Sequence, residues 1–116
     1  MDVYLKQYDG ENTTKSQFDE TIQKEYKSPV PIRALVIFEP TEEMLNEAGM
    51  TKEEAEIILK MSSLDLQKRG LMQGNQTLIT QDDMITVRLE DFDIKKIRHH
   101  VHYQDHLMVS IGAIRA

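Results

Sequence analysis

The chain of 116 residues contains no cysteine and no tryptophan. Without cysteine it can form neither disulfides nor thiolate zinc sites, which fits a protein of the reducing cytoplasm. No apolar run approaches the roughly 18 residues that a membrane-spanning helix needs. The first residues also lack the basic start and apolar stretch of a secretion signal, so we expect none. The length suits a single domain, whose core must be built from isoleucine, leucine, valine and methionine.

The sequence is equally poor in the motifs that accompany catalysis. With five glycines it has no glycine-rich phosphate loop, and it has no paired-histidine zinc signature of the HExxH kind. Its formal net charge is −6, and its basic residues are scattered, which argues against a protein that coats nucleic acid. We therefore predict that the protein is not an enzyme, and that it has no catalytic residues and no cofactor.

The N-terminal quarter has the composition of an arm. Residues 9–14 (DGENTT) favour turns and offer nothing apolar to pack. Phe18, Ile22 and Tyr26 recur every four residues, which predicts a short helical stripe that would be marginal alone. We predict that residues 1–28 form an arm that is flexible or ordered by a partner.

The remainder, residues 29–116, reads as one β-rich domain. Residues 32–38 (IRALVIF) are apolar on both faces from position 35, which predicts a central strand covered on both sides. Residues 41–50 and 62–71 each begin with a capping threonine or serine and reach a glycine, which predicts two short helices. Residues 55–61 fit both helical spacing and strand alternation; we favour a strand and leave the helix open.

From Thr77 onward the pattern is that of strands. Leu78 and Ile79 predict a short strand, and residues 81–83 a turn. Ile85, Val87 and Leu89 alternate with polar residues as in a half-buried strand, which residues 91–93 should end. The predicted fold is mainly β (α+β): a small β-barrel or sandwich with two short helices and an N-terminal arm.

All four histidines lie between Ile97 and His106. A three-residue loop over residues 103–105 would pair Val101 with Leu107 and Ile97 with Ile111, so that apolar side chains face each other across a hairpin. A two-residue loop would set histidines against apolar residues, and we reject it. His99 then faces inward, as a hydrogen-bonded and partly buried histidine.

In this register His102 and His106 are cross-strand neighbours, and His100 lies on the same face. Three imidazoles could bind zinc, nickel or copper, so a small metal-binding protein or metal-dependent enzyme is the alternative function. The nearby sequence offers only Asp105 as an ordering carboxylate. We favour a polar outer face of a hairpin and predict no metal.

One succession of elements resembles a known family. Residues 31–40 (PIRALVIFEP) lead into residues 41–50 (TEEMLNEAGM), followed by an alternating segment and a second leucine–glycine turn at residues 64–71. An acidic-start strand at residues 82–85 (DDMI) and a closing hairpin complete the order. This order, over residues 26–116, resembles the neck proteins of tailed bacteriophages and prophages: head-closure, stopper-like head-completion or head–tail connector proteins.

The resemblance implies a structural virion protein rather than an enzyme. Proteins of this family are small β-barrels that join the portal to the tail, close the head after DNA packaging and assemble as rings. It implies assembly in the bacterial host cytoplasm, a portal or adaptor protein and a tail-terminator or tail protein as partners, and proximity to packaged DNA without sequence recognition. A monomeric adaptor domain of similar architecture is a further alternative. If the resemblance holds, the arm and the loop near residue 74 should contact partners: Tyr4, Tyr8, Phe18, Ile22, Tyr26, Met72, Asn75 and Gln76.

Overall fold

The computed structural model describes residues 2–10, 14–15, 22–23, 25–102 and 106–116. The protein is mainly β with two short helices, as predicted. No helix among the described residues is long and apolar enough to cross a membrane. In chain order the elements are β1 (Asp2–Lys6), β2 (Thr14–Lys15), β3 (Ile22–Gln23), β4 (Val30–Arg33), β5 (Leu35–Phe38), α1 (Glu42–Ala48), β6 (Ile57–Ser62), α2 (Ser63–Lys68), β7 (Met72–Gln73), β8 (Gln76–Thr77), β9 (Met84–Val87), β10 (Glu90–His102) and β11 (His106–Arg115).

Seven strands form one antiparallel sheet in the order β4-β1-β9-β10-β11-β6-β5, which curls into a half-barrel. Strands β4 and β5 stand at opposite ends of this order, although only Ala34 separates them in the chain. The curl of the sheet therefore brings both edges to Ala34. The prediction of one central strand over residues 32–38 is wrong, because the segment supplies two edge strands instead.

The two faces of the sheet carry separate apolar clusters. The concave face holds the larger one, with Val3, Leu5, Ile85 and Ile111 fully buried and Leu66 of α2 packed against it. The convex face is covered near β5 and β6 by α1 and the segment after it. Val36 packs on the concave cluster and Ile37 on the convex one, which explains why β5 is apolar on both faces. The convex cluster contains Leu45, Ala48, Met50, Ala55 and Ile58.

The first residues of the predicted N-terminal arm belong to the main sheet. Residues 2–6 are β1, between β4 and β9 in the sheet, and Val3 and Leu5 are fully buried. Their alternation with polar residues is the period of a half-buried strand, which the arm prediction overlooked. The helical stripe is also wrong where it can be seen: Ile22 lies in β3, and Tyr26 forms a β-bridge with Tyr8. Phe18 belongs to the part of the arm that lies outside the described residues.

Both helices begin and end where the sequence predicts. The Thr41 hydroxyl accepts a hydrogen bond from the Met44 amide at 3.2 Å, and Gly49 ends α1 with φ +70°. The Ser62 hydroxyl accepts from the Leu64 amide at the start of α2. The open segment 55–61 contains a strand, since β6 begins at Ile57.

Three predictions in the C-terminal half need separate outcomes. The turn at residues 81–83 is confirmed, but Leu78 and Ile79 follow β8 without forming a strand. Strand β9 ends at Val87, so Leu89 is not part of it. Residues 91–93 lie inside β10 and do not end a strand, because Phe92 is buried in the concave cluster.

Gly112 of β11 provides a test of the convex cluster. A Cβ atom there would lie 2.7 Å from the Met50 sulfur, 2.8 Å from the Glu54 carbonyl oxygen and 3.1 Å from the Ala55 Cβ. Because backbone atoms close the space, we expect Gly112→Ala to lower the free energy of unfolding by about 1–3 kcal/mol in urea denaturation. Ser110→Ala is the matched control: the buried Ser110 hydroxyl has no hydrogen-bond partner among the described residues, so its removal should be neutral or stabilising.

Candidate interaction surface

The two edge strands of the half-barrel differ in how far side chains cover their outer backbone groups. The outer edge of β4 is covered by side chains of α2: Asp65 accepts a hydrogen bond from the Arg33 amide at 3.4 Å, and the Arg69 guanidinium donates to the Pro31 carbonyl. Asp65 and Arg69 also form an ion pair at 3.0 Å. Pro31 itself has no amide hydrogen to offer. The β4 edge is therefore protected against pairing with another chain.

The β5 edge has no such cover. Strand β5 pairs with β6 alone, and no hydrogen bond from the described residues reaches its outer side. Its four residues, LVIF, include neither a charge nor a proline, the usual protections of an exposed edge. Leu35 is 63% exposed and Phe38 39% exposed. We call the outer side of Leu35–Phe38 the β5 edge; it is an apolar strand with unpaired backbone groups.

A cavity of about 520 Å³ opens at the C-terminal end of β5. We call it the β5 cavity. It lies where β5 ends, β6 begins and the β9–β10 hairpin turns. Its walls combine apolar side chains with a rim of three acidic and three basic residues. They are Phe38, Glu39, Pro40, Leu45, Lys52, Ala55, Glu56, Ile57, Val87, Arg88, Glu90, Phe92 and Arg115.

Backbone strain is concentrated at this cavity. Among the described residues, the non-glycine residues with positive φ are Glu39 at 49°, Arg88 at 50° and Leu89 at 67°. Glu39 and Arg88 line the cavity, and Leu89 is the next residue in the chain. The left-handed conformation costs an L-amino acid roughly 1–2 kcal/mol. Strain of this kind clusters at sites where proteins bind other molecules, so it marks the cavity as a candidate site.

The β9–β10 turn presents a bare apolar tip. Val87 pairs with Glu90, so Arg88 and Leu89 form a two-residue loop with positive φ at both positions, a type I′ turn that usually takes Asn-Gly. Leu89 is 98% exposed. The Arg88 guanidinium lies 4.6 Å from the centre of the Phe38 ring, a cation–π contact that ties the hairpin to β5.

The charges of the rim are only partly neutralised. The Arg115 Nε lies 3.2 Å from a Glu90 carboxylate oxygen and 4.0 Å from one of Glu56. Glu39 and Lys52 belong to none of the ion pairs among the described residues. One carboxylate and one ammonium group at the rim therefore remain available to a partner that carries both signs of charge.

Behind the tip, a carboxylate holds the β9–β10 hairpin to β1. Asp91 Oδ1 accepts a hydrogen bond from the Thr86 hydroxyl at 2.6 Å and forms an ion pair with Lys6 Nζ at 3.3 Å. The Thr86 hydrogen bond, and secondly Lys6, lower the pKa of Asp91 below its ordinary value of 3.8, although partial burial opposes them. The anionic form of Asp91 is therefore favoured in the folded protein.

A lowered pKa makes a defined contribution to acid stability. Because the folded pKa of Asp91 lies below its unfolded value, its contribution is complete above that unfolded value and is lost as pH falls through the folded pKa. We expect Thr86→Val to raise the pKa of Asp91 towards 3.8, and Lys6→Met to raise it less. NMR titration of the Asp91 carboxyl carbon measures both; an unmoved pKa in Thr86→Val would contradict the assignment.

The histidine hairpin has the predicted register. Val101 pairs with Leu107, Ile97 with Ile111 and His102 with His106. Residues 103–105, where the loop was predicted, lie outside the described residues. His99 is half-buried, and its Nε2 accepts a hydrogen bond from the Thr77 amide at 3.0 Å, as predicted for an inward histidine.

The metal site proposed as an alternative at the histidines stays a prediction. The residues whose side chains are described contain no group of three His, Asp or Glu that could hold a metal ion. His100 is half-buried in β10, but the side chains of His102 and His106 are outside the described part. Their backbone register is the one that the metal hypothesis needs, and it is equally the register of a plain hairpin.

The structure places the predicted partner residues away from β5. Tyr4 is 48% exposed on β1, and Tyr8 and Tyr26 are half-buried across their bridge. Met72 is half-buried against the concave cluster, whereas Asn75 and Gln76 are exposed at the β7–β8 turn. None of these residues lines the β5 cavity. Phe18 lies outside the described residues, and of Ile22 only the backbone in β3 is described.

Sequence reasoning missed the residues that make up the β5 surface. Phe38 looked like core because its strand is apolar throughout, and Leu89 looked like the last inward residue of an alternating strand. The structure pairs Val87 with Glu90, so that the loop is Arg88-Leu89. That pairing was hidden because the turn lacks the Asn-Gly that usually announces it.

Comparison with known proteins adds no relative. No protein-family model matches the chain, and no curated protein and no solved structure showed a significant match to it.

Proposed function

We propose that this protein is a structural assembly protein that joins other protein chains through its β5 edge, and that its setting is the neck of a tailed phage or prophage. In that setting it connects the portal or adaptor protein to the tail-terminator or tail protein and closes the head after packaging. Its localisation is then the virion, assembled in the host cytoplasm.

The observation that carries the proposal is the contrast between the two sheet edges. The β4 edge is covered by Asp65 and Arg69, whereas β5 is left open, uncharged and apolar. An open edge accepts a strand from another chain through main-chain hydrogen bonds, a common mode of protein–protein recognition. An edge without protection would be a liability in a protein that works alone.

The apolar surface at the edge is large enough to matter energetically. The exposed fractions of Leu35 and Phe38, 63% and 39%, together amount to about one whole side chain. Covering that surface contributes about 1.5–3 kcal/mol, in addition to the main-chain hydrogen bonds of the added strand. This gain is modest, as expected of a contact that forms on assembly and is repeated around a ring.

The phage setting is supported by the order of elements and by the fold class. The resemblance over residues 26–116 implied a small β-barrel, and the chain forms a curled antiparallel half-barrel. A half-barrel can carry many functions, so this agreement supports the setting without identifying the partners.

The proposal predicts a portal gene beside this gene, and it is tested by reconstitution with the protein which that gene encodes. The purified chain is mixed with portal rings, and the mass of the product is measured by size-exclusion chromatography with light scattering. We expect a discrete complex with several copies of this chain per portal ring. Absence of any complex with portal, adaptor and tail-terminator proteins would overturn the neck assignment, as would flanking genes of a metabolic operon.

A further inference from the structure

Leu89 is costly to the isolated chain in two ways. Its side chain is 98% exposed, so it gains nothing from burial in the fold. Its φ of 67° is a conformation that leucine adopts only with strain, where asparagine or glycine would fit without it. Exposure of a single leucine is common, but backbone strain at an exposed leucine beside a cavity makes Leu89 a candidate interface residue.

The surface beside Leu89 contains an apolar cavity. The β5 cavity of about 520 Å³ begins at Arg88, and its apolar walls include Phe38, Leu45 and Ile57. Each copy of the chain therefore presents an apolar knob and an apolar cavity as different parts of one surface. We infer that Leu89 of one copy of this chain inserts into the β5 cavity of a second copy.

The charges around the knob and the cavity support a second copy as the occupant. The tip carries Arg88 and Glu90 on either side of Leu89, one charge of each sign about an apolar centre. Both side chains are exposed, although Arg88 also contacts the Phe38 ring and Glu90 also pairs with Arg115 of the same chain. The rim keeps Glu39 and Lys52 outside the described ion pairs, also one charge of each sign. A tip of this chain can therefore meet the rim with opposite charges facing, which a uniformly acidic or basic partner could not do.

The inference deepens the proposed function, since it names a contact between copies in the assembly. Leu89 and the β5 cavity are different contact sites on each copy. If each copy inserts Leu89 into the next one, the head-to-tail contact closes into a ring when the rotation between copies allows it. If two copies insert Leu89 into each other, the product is a two-fold dimer. Either product contains the Leu89 contact. The mass of the product separates the ring, which the neck assignment needs, from the dimer.

The absence of cysteine from the chain permits a clean crosslinking test. A tagged Leu89→Cys variant is mixed with an untagged Lys52→Cys variant under mild oxidation. We expect a mixed disulfide between tagged and untagged chains, because the knob would bring the two sulfur atoms together at the rim. Leu78→Cys, at another exposed leucine (41%) that lies outside the cavity, is the control and should yield at least tenfold less product. Equal yields from Leu89→Cys and Leu78→Cys would overturn the inference.

A second measurement does not depend on crosslinking. In light scattering of the purified chain over a range of concentrations, Leu89→Asn should weaken self-association about 10- to 100-fold, the effect of withdrawing one buried leucine. Its melting temperature should be unchanged or higher, because asparagine tolerates positive φ. Leu89→Met should associate within about threefold of the natural chain. Unchanged association of Leu89→Asn, or a natural chain that stays monomeric at every concentration, would overturn the inference.

The two proposals can fail separately. A natural chain that associates through Leu89 but forms no complex with portal or tail proteins retains the knob contact and loses the neck assignment. A natural chain that remains monomeric and still binds the portal loses the knob contact and retains the neck assignment.

Discussion

Replacing Leu35 with glutamate is expected to abolish assembly through the β5 edge while leaving the fold of the monomer intact. Leu35 is 63% exposed, and its cross-strand neighbour on β6 is Lys60. In the monomer a glutamate can pair with that lysine, which contributes about 0.2–1 kcal/mol. When a strand is added at β5, the same glutamate loses part of its hydration and replaces an apolar contact. We expect association to weaken at least tenfold, with an unchanged or slightly raised melting temperature.

Leu78→Glu is the matched control for this substitution. Leu78 is also an exposed leucine, at 41%, and it lies outside both β5 and its cavity. The control introduces the same charge and removes the same side chain. Light scattering and thermal unfolding of both variants separate a local effect at the edge from a general effect of net charge. Equal weakening by Leu78→Glu and Leu35→Glu would argue against the β5 edge as the site of assembly.

Asp83→Ala is expected to produce the largest loss of stability among single changes outside the apolar core. Asp83 is only 5% exposed, and its carboxylate accepts hydrogen bonds from the Tyr8 amide at 2.7 Å and the Thr80 amide at 2.8 Å. It thereby joins the turn before β9 to the segment after β1. Each hydrogen bond to a charged group contributes about 1.5–3 kcal/mol, so loss of both should lower the free energy of unfolding by about 3–5 kcal/mol. This is a large share of the roughly 5–15 kcal/mol that stabilises a typical domain.

Two variants accompany that measurement in urea denaturation. Asp83→Asn retains one carbonyl oxygen and should lose about half as much stability, because one of the two amides keeps its acceptor. Gln81→Ala, an exposed change two residues away, should stay within about 0.5 kcal/mol of the natural chain. A loss below about 1 kcal/mol in Asp83→Ala would show that the carboxylate does not hold the turn and the arm together.

The histidine hairpin was predictable because its register follows from one requirement. Only a three-residue loop sets Val101 against Leu107 and Ile97 against Ile111, and burial of one face makes every other register expensive. The helices were predictable for a similar local reason, since Thr41 and Gly49 each have a direct role in capping. In both regions, neighbouring residues contain the information that determines the structure.

The break at Ala34 could not be read from the sequence. Residues 32–38 are apolar except for Arg33, and no glycine or proline marks the point where one strand becomes two. The separation of β4 from β5 is a property of the curled sheet, in which Val3 of β1 lies opposite Ile32 and Leu59 of β6 lies opposite Val36. Long-range pairing of this kind leaves no local signal.

The candidate site was unpredictable for the same reason. Phe38, Arg88 and Leu89 come together because β5 and the β9–β10 hairpin end at the same rim of the half-barrel. Aromatic residues in the arm led to the prediction of partner contacts there, and the structure shows that Tyr8 and Tyr26 form a β-bridge with each other. Exposure, strain and an open edge are properties of the fold, so they identified the surface only once the fold was known.

Hydrogen exchange at β5 tests the central claim most directly. Amide protons on the outer side of residues 35–38 have no hydrogen-bond partner among the described residues and should exchange rapidly in the monomer. On assembly with a second copy or with the portal, we predict that the same amides become protected by at least tenfold. Assembly that protects other surfaces and leaves the exchange of residues 35–38 unchanged would contradict the account.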